Sequence, residues 1–195
     1  MRCVISPIAA VLISHDHPDH TYGLPAYAGL PIFTTQGFID NGKAAPWGFP
    51  SNWSDVIPTE PGALQLAGVE VLIRKFNDAE AQEQIVITIP EIDVTIVQDL
   101  VYNDTFIYPG YNRSGWLDVL ETLRNDVDTT TLLVGHGHPA HVAELGAQID
   151  FINDYDALVA VSDGPVDLAD RLRQKWPLRP TGDFLTEQFL AINFQ

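Results

Sequence analysis

Four potential metal ligands lie within six positions near the start of the chain, directly after a short apolar run. The run Ala10–Ile13 is typical of a central strand covered on both faces, and His15, His17, Asp19 and His20 follow it. Imidazole nitrogens and a carboxylate suit zinc and related first-row cations. Incidental histidines in a polar loop are the alternative. A turn that follows a strand can aim several side chains at one place, so the pattern favours a metal site at the edge of a layered fold of sheets and helices.

The length and charge of the chain restrict its organisation and its partners. The 195 residues suit one domain spanning 1–195, and acidic residues outnumber basic ones 26 to 10, which gives a formal net charge of −16. A field of that sign repels phosphate backbones and anionic lipid surfaces, so we expect no nucleic-acid partner and no membrane partner. The single cysteine, Cys3, can form no internal disulfide and belongs to no cysteine-based zinc spacing.

The apolar segment Val4–Ile13 follows Arg2 and invites comparison with a signal peptide. It runs directly into the histidine cluster with no small-residue cleavage site, so we interpret it as a buried strand. No apolar run has the length of a transmembrane helix. The sequence therefore predicts a cytoplasmic protein.

Hydrophobic spacing predicts strands and helices in mixed order along the chain. Ser114 is the predicted cap of the first long helix, and Pro165 opens the last one. The predicted strands are 10–13, 32–34, 64–66, 69–75, 85–89, 94–97 and 130–134; the predicted helices are a short one within 21–30, then 114–125, 141–161 and 165–176; 43–61 is predicted to be a long loop.

Three segments in order resemble the metallo-β-lactamase superfamily. The segment Ser14–His20, followed by Gly23-Leu24, resembles its His-x-His-x-Asp-His motif. The segment Val97–Tyr102 resembles the strand-end motif whose aspartate, here Asp99, bridges two metals, and Val134–Gly137 resembles the segment that supplies the last histidine, here His136. The resemblance implies an α+β fold, a four-layer αββα sandwich, and metal-dependent hydrolysis.

Two departures from the family pattern are informative. Relatives usually carry a further histidine ligand before the bridging aspartate, but this chain has no histidine from Tyr22 to Gly135. The region resembles a branch that includes alkylsulfatases, in which a glutamate takes that place; Glu80 fits best, with Asp78 and Glu83 as alternatives.

The second departure concerns the start of the chain. Only about a dozen residues precede the histidine motif, whereas the family has several strands there. The resemblance therefore implies either a truncated relative that lacks part of the first sheet, or a fold that tolerates a reduced first sheet. Its exposed apolar sheet edge would favour association into a homo-oligomer.

The resemblance also implies a ligand assignment and a mechanism. Two divalent metal ions are expected, with Zn²⁺ favoured and Fe or Mn as alternatives, and with Asp99 bridging them. A hydroxide shared by the two metals would attack the substrate, and Asp19 would orient it or carry a proton to the leaving group. Tyr102 would donate a hydrogen bond to a substrate oxygen; a role as a core aromatic is the alternative. The expected ligands are His15, His17 and Glu80 for one metal and Asp19, His20 and His136 for the other.

For several residues near the motifs, the sequence allows both a functional and a purely structural interpretation. His138 and His141 suit either contacts behind the metal ligands or polar positions at a helix start. Trp47, Phe49 and Trp53 suit an apolar lip for substrate or the packing of their own loop, and Arg113 suits a substrate anion or an ordinary surface position.

The expected substrate is a small molecule with an ester, lactone, thioester or sulfate ester bond. A glutamate ligand argues against a β-lactam-hydrolysing site of the usual three-histidine type, and the net acidity argues against the nucleases of the superfamily. A non-catalytic, metal-binding truncated relative is the alternative from another class. A di-iron redox protein is a third alternative, which the absence of a flavin domain in this sequence disfavours.

Overall fold

The computed structural model of the protein describes residues 7–44, 56–106, 109, 112–179 and 190–194. Its contacts divide the chain into two units, Met1–Asn77 with Ala81–Asp93, and Asp78–Glu80 with Val94–Gln195. Both units contain strands and helices, which confirms the predicted α+β class. The prediction that 1–195 forms a single domain stays a prediction.

The first unit contains a parallel group and an antiparallel group of strands. The parallel group has the order β1–β2–β3, with Val11 opposite Ile32 and Phe33 opposite Ile57. In the antiparallel group β5 lies between β4 and β6. The elements are β1 (Val11–Leu12), α1 (Pro18–Thr21), a 3₁₀ turn (Leu24–Tyr27), β2 (Ile32–Thr34), α2 (Gln36–Ala44), β3 (Val56–Pro58), β4 (Gly62–Leu66), β5 (Val69–Asn77), β6 (Glu83–Ile89) and a 3₁₀ turn (Pro90–Ile92).

A small apolar core packs around the parallel group of strands. Aliphatic and aromatic side chains from β2, α2, β3 and the segment after β1 are buried together, and Val11 packs against them. Burying such side chains stabilises by about 1.5–3 kcal/mol each, so this cluster fixes the chain just ahead of the histidine motif. Its buried members are Ile13, Leu24, Ile32, Phe38, Ile39 and Val56.

The second unit combines a three-stranded group with the long helices. β8 pairs in parallel with β7 and antiparallel with β9, α4 packs against α3 and α5, and α4 also contacts β7. The large side chains on the inner faces, among them Trp116, Leu132 and Phe151, are fully buried. The elements are β7 (Val94–Asn103), α3 (Arg113–Asp126), β8 (Thr131–Gly137), β9 (Ala140–His141), α4 (Glu144–Val159), α5 (Pro165–Lys175) and a 3₁₀ turn (Ala191–Phe194).

Three predictions about the first unit need correction. β1 is only partly buried and lies at one end of its three-stranded group, so it is not a central strand within the described residues. The short helix predicted within 21–30 is replaced by α1, which starts at Pro18 because proline suits the first helical turn, and by a 3₁₀ turn. The predicted loop 43–61 is wrong at both ends, where α2 extends to Ala44 and β3 begins at Val56; 45–55 lies outside the described residues.

Two predicted helix starts in the second unit are also displaced. The cap of α3 is Asn112 rather than Ser114, because the Asn112 side chain accepts a hydrogen bond from the Gly115 N–H at 3.1 Å. The helix predicted from His141 begins at Glu144, since His141 pairs with Thr131 as part of β9. Among the described residues, no helix combines the length and apolar character needed to cross a bilayer.

Candidate metal centre

The histidine motif is concentrated by a sharp change of backbone direction after β1. His17 is extended and caps α1, and Pro18 occupies the first helical position. The His15 ring centroid lies 4.6 Å from that of His17 and 4.2 Å from that of His20. Asp19 is exposed, and its Oδ2 lies 3.4 Å from Nε2 of His20. The motif therefore gathers three imidazoles and one carboxylate, as the spacing predicts.

His15 is oriented by the residue before it. The Ser14 hydroxyl lies 2.9 Å from Nδ1 of His15, and both side chains are buried. The main chain of Ser14 is fixed in turn, because its carbonyl accepts a hydrogen bond from the Ile85 N–H at 2.9 Å. When Nδ1 carries the proton and donates it to the Ser14 hydroxyl, Nε2 is the His15 nitrogen that presents a lone pair to a cation. No role for Ser14 was predicted from the sequence, although its position next to a candidate ligand histidine was the available signal.

Glu80 lies in the short segment Asp78–Glu80, which packs against the start of α3. Its side chain is buried, whereas Asp78 is exposed. The Ala79 carbonyl accepts a hydrogen bond from the Asn112 N–H at 3.1 Å, and a β-carbon at Gly115 would collide with the Asp78 carbonyl. This close backbone approach fixes the segment that carries Glu80.

Glu83, the other alternative ligand, is engaged elsewhere. Its carboxylate accepts hydrogen bonds from the Thr35 hydroxyl, from the Phe38 N–H at 3.1 Å and from Lys75 Nζ at 3.0 Å. Burial alone would raise the pKa of the Glu83 carboxyl, but the hydrogen bonds from Thr35 and Lys75 and the charge of Lys75 outweigh it and lower the pKa. Glu83 therefore acts as an anionic cap for α2, and Glu80 is the acid that the geometry favours as a ligand.

Asp99 is placed by an irregularity in β7. β7 advances six residues from Ile96 to Tyr102 while the paired β8 advances three, from Leu133 to His136. Such bulges re-aim side chains next to functional sites. The Asp99 carboxylate is buried and occupies the space that a side chain at Gly135 would fill. The glycine before His136 is therefore required by the aspartate on the neighbouring strand.

His136 and Tyr102 face each other across the β7–β8 pair. Nε2 of His136 lies 3.3 Å from Oδ2 of Asp99, and the Tyr102 hydroxyl lies 3.1 Å from the same oxygen. The two rings stack with centroids 5.1 Å apart and an interplanar angle of 15°. Gly137 has a φ of +102°, and a β-carbon there would collide with the Asn103 carbonyl. The Gly-His-Gly segment thus fits this strand end sterically.

Two groups of ligand atoms are close enough for each to hold a cation. Within each group the atoms offered by its members, one per residue, all lie within 4.8 Å of one another. The donors are imidazole nitrogens and carboxylate oxygens, which fit zinc, iron and manganese. Asp99 belongs to both groups, as a bridging ligand would. The groups are His15, His17, Glu80 and Asp99, and Asp19, His20, Asp99 and His136.

These groups have the membership that the sequence hypothesis proposed, and the role of each residue as a ligand stays a prediction. The neighbouring candidates have structural contacts. The His138 carbonyl accepts a hydrogen bond from Asn103, and Nδ1 of His141 accepts one from the Ala143 N–H just before α4. Arg113 pairs with Asp156 at 2.5 Å. Trp47, Phe49 and Trp53 lie outside the described residues.

The strands, helices and ligand groups together define a protein with the metallo-β-lactamase fold. A metallo-β-lactamase from Pontibacter korlensis matches with a TM-score of 0.67 and 14% sequence identity, over 78% of this chain and 72% of that one. Metallo-β-lactamase IND-7 matches with a TM-score of 0.63 and 17% identity, over 75% and 69%. VMB-1 matches with a TM-score of 0.61 and 17% identity, over 76% and 68%. No protein-family model and no curated protein sequence matches the chain.

Proposed function

We propose that the protein is a metal-dependent hydrolase with a dinuclear centre, acting on a small ester, lactone, thioester or sulfate ester. The observation that carries the proposal is the pair of four-residue ligand groups that share Asp99. Sharing one carboxylate between two sets of donors is what a two-metal site requires. The structural resemblance to metallo-β-lactamases supports the same class of chemistry.

The roles of the residues follow from their chemistry and burial. His15, His17 and Glu80 would hold one ion, and Asp19, His20 and His136 the other. When bound, two such ions lower the pKa of a water that they share and stabilise the negative charge that develops on the substrate. Asp19 is 55% exposed, whereas Asp99 is 3% exposed at its side chain. Asp19 is therefore the carboxylate suited to exchange a proton with the leaving group or with solvent.

The substrate class is argued from charge and from the donor set. Glu80 in place of a further imidazole makes the centre more anionic and harder, which argues against a β-lactam-hydrolysing site of the usual three-histidine type. The net charge of −16 disfavours polyanions such as nucleic acid. Small uncharged or singly charged esters remain compatible with both features.

The first test measures metal content and turnover on the same preparations. The zinc-loaded protein is expected to retain about two ions per chain after dialysis and to hydrolyse at least one member of a panel of chromogenic esters, lactones, thioesters and sulfate esters. His17→Ala and Asp99→Ala should lose both metal and turnover, and Asp99→Asn, which keeps the side-chain volume, should do the same. His138→Ala removes an exposed histidine outside the two groups and serves as the matched control, retaining both.

Two outcomes would redirect the proposal. Hydrolysis by a preparation that contains no metal would end it. Bound metal without hydrolysis of any panel member, or of a chromogenic cephalosporin tested beside the panel, would identify the chain as a non-catalytic metal-binding relative.

A further inference from the structure

Tyr102 makes two contacts with the ligand groups at once. It lies at the end of β7, three residues after Asp99, and its side chain is buried. Its hydroxyl donates to Oδ2 of Asp99 at 3.1 Å, since an ionised carboxylate only accepts, and its ring stacks on that of His136. One side chain therefore touches two candidate ligands from two different strands.

The main chain of Tyr102 is held on both sides by buried polar side chains. Its N–H donates to Oε1 of Gln148 at 3.2 Å, and its carbonyl accepts from Nη1 of Arg179 at 2.8 Å. Both side chains are almost completely buried. These contacts fix the backbone of Tyr102, and the burial of its ring against His136 restricts the side chain that carries the hydroxyl.

Arg179, which donates to the Tyr102 carbonyl, is itself held in place by several contacts. Its Nη2 donates to Oε1 of Glu144 at 2.5 Å, and its guanidinium lies over the rings of Phe151 and Trp176. Burial lowers the pKa of Arg179 and raises the pKa of Glu144, and the attraction between the two charges opposes both shifts. Burying an arginine is unfavourable unless its hydrogen bonds are satisfied, and here one of them goes to the strand that carries Asp99.

We propose that Tyr102 is a positioning residue of the metal centre, which orients the Asp99 carboxylate through its hydroxyl and the His136 imidazole through its ring. This inference rests on the proposed function. A carboxylate that serves two cations needs a fixed orientation towards both, and rotation about its terminal bond would disturb that orientation. The hydrogen bond from Tyr102 to Oδ2 restricts the rotation, as partners behind metal ligands do in other proteins. The hydroxyl has a single proton, and in this structure it points at Asp99, whereas the sequence analysis directed it at a substrate oxygen.

The test compares two tyrosine-to-phenylalanine variants. Tyr102→Phe removes the hydroxyl and keeps the ring that stacks on His136. Tyr155→Phe is the matched control: Tyr155 is equally buried, and its hydroxyl accepts one hydrogen bond from Asn193 at 2.7 Å, with neither residue in the ligand groups. Each variant loses one buried, hydrogen-bonded phenolic oxygen.

Zinc affinity is measured by competition with a chromogenic chelator, and thermal unfolding is measured on the metal-free proteins. We expect Tyr102→Phe to bind zinc about 10- to 100-fold more weakly than the parent, and Tyr155→Phe to bind it as the parent does. A merely structural role for Tyr102 would lower the unfolding temperature of both variants similarly and leave both affinities unchanged. In the cobalt-substituted protein, the ligand-field absorption should change for Tyr102→Phe alone.

The outcomes separate this inference from the proposed function. Parent-like zinc affinity in Tyr102→Phe overturns the inference while the proposed function stands. Parent-like affinity together with a raised KM replaces it with a hydrogen bond to substrate. A parent protein that binds no zinc overturns the proposed function and the inference together.

Discussion

The orientation of His15 depends on one hydroxyl group. Ser14 is buried beside it, and the Ser14 Oγ to His15 Nδ1 distance is 2.9 Å. As an acceptor, the hydroxyl favours the tautomer in which Nδ1 carries the proton and Nε2 the lone pair, and it restricts the direction in which the ring faces. Without that partner, the ring could adopt the other tautomer or rotate away from the direction of a cation. The serine is therefore expected to support metal binding by His15 without being a ligand itself.

Removal of this hydroxyl is expected to weaken metal binding without unfolding the protein. Ser14→Ala should lower zinc affinity by about tenfold or more, in the range measured for partners of histidine ligands. Ser14→Thr, which keeps a hydroxyl, should restore most of it. Ser162→Ala serves as a control, because its hydroxyl donates to the Leu158 carbonyl and is not bonded to a candidate ligand. Chelator competition measures the affinities, and equal affinity in Ser14→Ala and Ser162→Ala would show that the hydroxyl has no such role.

The residues of the candidate site differ in how well their roles can be predicted from the sequence. The His15–His20 motif is local, so its convergence follows from a turn of six residues. The choice of Glu80 over Glu83 depends on tertiary contacts of Glu83, above all the contact with Thr35, which lies 48 positions away in the sequence. Arg179 binds the Tyr102 carbonyl across 77 positions, and no spacing rule connects the two.

At the scale of elements, strands with strong hydrophobic patterns were predicted well. β2 has the predicted bounds, and β5, β6 and β8 contain or overlap the predicted segments. The helices 114–125 and 165–176 were also found with small shifts. β3 was missed because it is three residues long and only Val56 is buried. α2 was missed although Thr35, directly before it, is a residue type that caps helices. The Phe38 N–H in its first turn lies within hydrogen-bond distance of the Thr35 hydroxyl, at 3.3 Å, and of the Glu83 carboxylate, at 3.1 Å, and Glu83 comes from a strand 45 residues later.

The bulge in β7 could not be predicted either. Hydrophobic alternation indicates a strand, but it does not show where a strand carries extra residues relative to its neighbour. Here four consecutive residues, Asp99 to Tyr102, are all buried, which breaks the alternation of a regular strand. Only the pairing with β8 shows that this irregularity places the Asp99 carboxylate over Gly135.

The cap on α2 gives a prediction about acid stability. Burial raises the pKa of Glu83, but the hydrogen bonds from Thr35 and Lys75 and the charge of Lys75 outweigh it and hold the folded-state pKa below its ordinary value of 4.5. Its contribution to stability is therefore complete above the unfolded-state pKa and is lost as pH falls through the folded-state pKa. Glu83→Gln should lower the free energy of unfolding by about 1–3 kcal/mol near neutral pH, and this difference should shrink progressively below about pH 4.5.

Chemical denaturation between about pH 3 and 7 measures this difference. Glu91→Gln, which changes an exposed glutamate in the turn after β6, is the matched control and should show a much smaller effect. A gap between the parent and Glu83→Gln that stays constant across this pH range would show that the carboxylate charge does not hold α2.

At the scale of the whole molecule, the excess of negative charge affects the approach of anionic substrates but not that of uncharged ones. With 26 acidic and 10 basic residues, the protein should repel anions over distances set by the ionic strength. The Debye length is about 30 Å at about 0.01 M salt and about 8 Å at about 0.15 M. A substrate with a sulfate group would experience this repulsion, whereas an uncharged lactone would not. The candidate substrates therefore divide into two electrostatic classes.

Salt dependence should reveal which class the protein acts on. If it hydrolyses a sulfate ester, kcat/KM should rise several-fold between about 0.01 and 0.15 M salt, because screening removes the repulsion. The value for an uncharged ester or lactone should remain constant, and that substrate controls for effects of salt on the protein itself. A fall in kcat/KM for the sulfate ester would mean that the entrance to the site is locally positive. Bound cations would then control substrate capture more strongly than the rest of the acidic chain.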